Sequence, residues 1–247
     1  MINKNTWHSL LSEISHIHYI KLIERSIMLI VFAAVCIMDY TDFSKRVTVN
    51  IFNHKHIFVL IGIIFAVEMV MRFFPSGLES MGNQKQFNCN YEPLKRNTSE
   101  NGHHDRSHLI VAVSWIIVNS VFGCLYLTEI ISASVLILIS LFYSVCDIIC
   151  ILFYCPFQEW IMKNKCCGTC RIYNWDYAMM FTPLVFIKNI FTWGLFGLGA
   201  ALLIQWEIIY HRHPERFSEK SNANLSCVRC NERLCRHKKT IRKFISK

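Results

Sequence analysis

Two Cys-x-x-Cys pairs carry the most chemistry in this sequence, Cys167-Gly-Thr-Cys170 and Cys227-Val-Arg-Cys230. A two-residue gap lets one tight turn aim both sulfurs at a single ion. Two such turns complete a tetrahedron with Zn–S near ~2.3 Å. Gly168 suits the turn. The chain has 12 cysteines, and six of them fall within 25 residues: Cys146, Cys150, Cys155, Cys166, Cys167 and Cys170. Cys227, Cys230 and Cys235 lie near the C-terminus. The expected ligand set is Cys167, Cys170, Cys227 and Cys230, with Cys166, Cys235 and His237 as substitutes. Zinc is the expected metal, and an iron–sulfur cluster takes the same ligands. A tail-only set of Cys227, Cys230, Cys235 and His237 is weaker, because residues two apart diverge on a helix. Reduced thiols without metal and redox-active cysteines are the competing readings.

Flanking charge fits an anionic thiolate site. Lys163, Lys165, Arg171, Arg229, Arg233 and Arg236 are expected to lower the neighbouring thiol pKa values. Cys36 and Cys124 sit in apolar runs and read as small packing residues. Three charges inside apolar runs matter next. Glu68 and Arg72 are four apart, acid first, as in a helical ion pair, with Arg72 near enough to its span's end to snorkel. Asp147 stands beside Cys146 and three residues before Cys150, close enough to assist proton transfer at a thiol. Asn119 reads as an interhelical hydrogen-bond donor, and the His pairs at 54/56, 103/104 and 211/213 as interfacial or solvated.

Positioning these groups falls to apolar helices. Of 247 residues, 53% are hydrophobic and 17% charged, and mean hydropathy is +0.31. Burying that much apolar surface calls for lipid. The expected fold is an all-α polytopic membrane bundle of four to five spans, closed by a kinked or re-entrant last segment. Residues 1–19 read as an interfacial amphipathic helix, with Trp7, Leu10, Leu11, Ile14 and Ile17 on one face, or as a plain N-terminal continuation of the first span. Residues 20–74 hold the first two spans, and 75–108 form a polar cytoplasmic loop. The run 109–153 is about twice too long for one span, so it is expected to fold back at Thr128-Glu129 as a helical hairpin. Residues 154–177 form the Cys-rich loop, 178–210 the last membrane segment, and 211–247 a basic Cys-containing tail. Pro183 predicts a break in that last segment.

Lys and Arg concentrate in cytoplasmic loops. The tail holds 11 of the 26, with only Glu215, Glu219 and Glu232 as acids, and is expected in the cytoplasm. If the last segment crosses once, 14 basic residues face in and 10 out; if it returns, 21 face in and three out. The charge rule favours the second arrangement. Residues 231–247 combine Leu234, Ile241, Phe244 and Ile245 with seven Lys and Arg, the pattern of docking on anionic lipid headgroups or of a solvated basic tail that only fixes topology. The tripeptides Asn97-Thr98-Ser99 and Asn224-Leu225-Ser226 fit the glycosylation pattern but carry no weight in the cytoplasm.

No phosphate loop, nucleotide fingerprint or nucleophile–base motif occurs, and no nucleic-acid partner is expected. The expectation is a non-enzymatic multi-pass protein of the cell membrane, with a structural metal site joining loop to tail. A quinone-linked thiol–disulfide oxidoreductase and a transporter of small solutes or lipids are the alternatives.

Overall fold

A computed structural model describes residues 13–41, 55–75, 84–94, 106–164, 166–226, 235 and 238. Six α-helices organise them: α1 (Glu13–Thr41), α2 (Lys55–Arg72), α3 (Ser107–Leu127), α4 (Ala133–Leu152), α5 (Asp176–Phe181) and α6 (Ile190–Arg212). Short 3-10 and π turns join them, and the described residues contain no strand beyond the bridge Pro93–Asn222. Helices α3, α4 and α6 are long and apolar enough to cross a membrane. The protein is therefore membrane-associated, as its composition leads one to expect. Ile110, Ile116, Ile117 and Val121 of α3 point outward. In water such a surface would be costly; in lipid it is the natural one.

The turn between α3 and α4 has a definite chemistry. Glu129 adopts φ 60°, and Ile130 N–H donates to Leu125 O while Glu129 N–H donates to Tyr126 O. That pair of bonds is a Schellman stop, which satisfies carbonyls that α3 would otherwise leave bare.

The 178–210 stretch divides in two. Helix α5 tightens into a 3-10 turn over Thr182–Phe186, where Pro183 removes a backbone donor. The chain is extended at Ile187 and Asn189, and the Asn189 side chain then caps α6 by accepting from Phe191 N–H at 2.8 Å. Helices pack closely where side chains are absent: the Gly62 position meets the Phe191 ring, and Gly123 the Phe186 ring.

Charge is buried at the centre. Arg25 of α1 is 2% exposed and holds Glu68 of α2, Asp147 of α4 and the Ser144 carbonyl together. Lys21 and the Tyr177 hydroxyl also reach Glu68. Arg72 pairs with Asp176 and lies over the Tyr177 ring. The expected Glu68–Arg72 pair with a snorkelling arginine is thus corrected: Arg72 is only 4% exposed and turns inward. A carboxylate on another helix outcompetes the neighbour one turn away, because a dry site rewards full pairing of every charge.

Candidate functional site

The Cys-rich segment begins where α4 ends. Helix α4 is capped at Phe153, and after Pro156 the chain winds one π turn over Phe157–Ile161. Gln158 then staples the loop: its side chain donates to Asn164 O at 3.0 Å, and its backbone accepts from Asn164 N–H. Lys163, at φ 47°, makes the reversal between them. Cys167–Thr169 is a 3-10 turn closed by Cys170 N–H on Cys167 O. This puts the first Cys-x-x-Cys on the tight turn that its spacing demands.

Two other segments knit onto this loop. Gln86, 1% exposed, donates to the Gly168 carbonyl at 2.8 Å and accepts from Asn174 at 2.8 Å. Asn222, fully buried, donates to the carbonyls of Lys85 and Arg216. Leu94 N–H reaches Ser221 O, and Ala223 N–H reaches Glu92 O. Segment 84–94, the Cys-rich loop and the tail thus share one end of the bundle.

The tail arrives at the thiols themselves. Lys238, 6% exposed, donates to Cys150 O at 2.6 Å, Cys167 Sγ at 2.9 Å and Gln158 Oε1 at 3.4 Å. An ammonium has three donors, and all three are used. Cys235 hydrogen-bonds Cys166, which holds the Cys235 thiol protonated and pushes its pKa up. Cys167 also donates to Gln158 Oε1 at 3.1 Å. At the other side of the cluster, Cys150 hydrogen-bonds Cys155.

Electrostatics separates these thiols. Cys155 is drawn down to about 7, first by the hydrogen bond from Cys150, with Gln158 N–H and the Lys238 charge adding to it. Burial pushes Cys170 up to about 12 and raises Cys167 too, against the pull of Lys238. The expectation that flanking cations lower the Cys167 and Cys170 thiols is therefore corrected. Arg171 is spent on Glu207, at 2.6 Å, and on the Tyr210 ring. Desolvation wins where the nearby cation is already paired.

Of the four expected ligands, Cys167 and Cys170 lie on one turn. Cys227 and Cys230 lie outside the described residues, as do His237, the first glycosylation tripeptide and most of both amphipathic ends. The substitutes Cys166 and Cys235 are brought together. Among the described residues, no three His, Cys, Asp or Glu side chains converge in a metal-binding group. Asn119 is buried and donates to its own helix, at Trp115 O. Gln86, Gln158 and Lys238 escape sequence reasoning, since a lone amide or one lysine in a basic tail has no spacing to betray it.

A cavity of about 410 Å³ adjoins the cluster. Cys146, Asp147, Cys150, Cys155, Cys167 and Cys170 line one part of it, and aromatic and aliphatic side chains most of the rest. No family model, curated protein or solved structure matches this chain.

Proposed function

We propose that this is a multi-pass protein of the cell membrane whose cytoplasmic face is locked by a thiol-ligated zinc site joining the Cys-rich loop to the C-terminal tail. One observation carries the reading: Cys235 and Lys238 of the tail lie against Cys166 and Cys167 of the loop. The ligands are drawn from Cys167, Cys170, Cys227 and Cys230, with Cys166 and Cys235 at hand. Buried thiols beside a tail cation suit a site that takes a thiophilic dication and releases protons as it does so. The same meeting of segments supports the orientation. The α5 stretch and α6 act as a hairpin that enters and returns, so 21 Lys and Arg flank the knitted face and three the other.

Metal analysis of the full-length protein, purified under reducing conditions, tests this. Zinc bound in fixed proportion to chain is expected. Cys167→Ser with Cys170→Ser should lose it, and so should Cys227→Ser with Cys230→Ser. Metal-free wild-type protein, or zinc retained by both double variants, would end the proposal. Iron in place of zinc would replace the ion and keep the ligands.

A further inference from the structure

The cavity beside the thiols opens on the apolar flank of the bundle, where Phe142 is 54% and Ile149 39% exposed. A ligand entering there comes from lipid. Trp115, Tyr143, Phe157 and Tyr173 form aromatic walls, and Trp115 and Tyr143 already pack with ring centroids 4.5 Å apart. At the cavity's polar end stand Asp147 and Asp176, which are held by Arg25 and Arg72, and the hydrogen-bonded thiols of Cys150 and Cys155. Among the described residues, no Lys or Arg lines the cavity. The nearby cations, Arg25, Arg72 and Lys238, are already engaged by Asp147, Asp176, Cys167, Gln158 and the Cys150 carbonyl, so an anionic lipid headgroup would meet carboxylates before an open cation. A flat, neutral, lipid-soluble ring matches these aromatic walls and would lie beside a dithiol.

We propose that the cavity binds the ring of a membrane quinone and that Cys150 and Cys155 reduce it. The volume falls in the range of small-molecule sites, about 300–1,000 Å³. Both cysteines are free thiols. Cys155, the sulfur more readily ionised, adds to a ring carbon of the quinone. Cys150 then attacks the Cys155 sulfur. The S–S bond forms, the S–C bond breaks, and its electron pair stays on the ring. Two thiol protons end on the two quinone oxygens, so one dithiol and one quinone give one disulfide and one quinol. Neither cysteine belongs to the proposed zinc ligands, so this reading goes beyond that one and stands or falls apart from it.

The experiment uses full-length protein in nanodiscs, reduced, stripped of reductant and kept free of oxygen. Decylubiquinone is added, quinol is followed by absorbance, and disulfides are located by peptide mass mapping. Wild-type protein should form quinol in step with a Cys150–Cys155 disulfide. Cys150→Ser and Cys155→Ser should each abolish that quinol and leave the metal content of the protein as in wild type. Ile149→Trp, which narrows the entrance, should raise the half-saturating decylubiquinone concentration several-fold. Should a serine variant fail to fold, the wild-type disulfide map decides alone. No quinol from reduced wild-type protein, undiminished quinol from folded serine variants, or a disulfide mapped elsewhere would each overturn the proposal.

Discussion

Arg25 donates to Asp147 across 3.1 Å while its other terminal nitrogen holds Glu68 at the same distance. One guanidinium thus ties α1 to two helices distant in sequence. Removing it alone would leave two carboxylates without their main partner. The loss of one member of a buried pair costs on the order of 3–5 kcal/mol. Arg25→Met should therefore lower the thermal unfolding midpoint in detergent sharply or prevent assembly. The triple variant Arg25→Met, Glu68→Gln, Asp147→Asn should recover much of the loss, because neutral amides tolerate the site better than unpaired anions. A triple variant no better than Arg25→Met would show that packing and not charge sets the cost.

The thiols should separate by pH. In metal-free protein Cys155 is drawn down to about 7 by its hydrogen bond from Cys150, and burial pushes Cys170 up to about 12. Only the thiolate is alkylated. Iodoacetamide modification of Cys155 should rise through neutral pH and level off above it, while Cys170 stays slow and still climbs at pH 9 (about three units below its midpoint, so roughly 0.1% thiolate). Cys150→Ala removes the donated hydrogen bond and should move the Cys155 midpoint upward. Site-resolved mass spectrometry of the alkylated protein measures all three.

Glycines divide into those that permit close approach and those that do not. A Cβ at Gly62 would lie 2.3 Å from the Phe191 ring, and one at Gly123 2.3 Å from Phe186, whereas Gly194 and Gly197 face open space. Gly62→Ala and Gly123→Ala must displace an aromatic ring and should cost about 1–3 kcal/mol, the scale of overpacking. Gly194→Ala and Gly197→Ala should be neutral or gain up to about 1 kcal/mol from helix propensity. Thermal midpoints of the four variants would check this ordering.

Helical class and membrane association are legible in the sequence because apolar runs are long and charges few. The break near Thr128-Glu129 can be read from length alone: no single helix of 45 residues fits the bilayer. The partners of Arg25 cannot be read so. It lies near one end of a span, where a snorkelling cation is the ordinary reading, and its carboxylates come from residues 43 and 122 positions away. The thiol cluster shows the same limit. Spacing identifies Cys167 and Cys170 as a pair, since one turn holds them. That Cys166 would meet Cys235, and Cys150 meet Cys155 over a cavity, depends on tertiary packing, for which adjacency in the chain is no guide.

Asn222 is hydrogen-bonded to the Lys85 carbonyl, 137 residues earlier, and Lys238 to the Cys150 carbonyl, 88 residues earlier. These contacts join parts that are synthesised well apart in time. The cap over the hydrophobic segments can assemble only once Asn222 and Lys238 have been made, long after the residues they hold. Until then, the Lys85 and Cys150 carbonyls are without these two donors. A polypeptide cut short before Asn222 would lack both contacts.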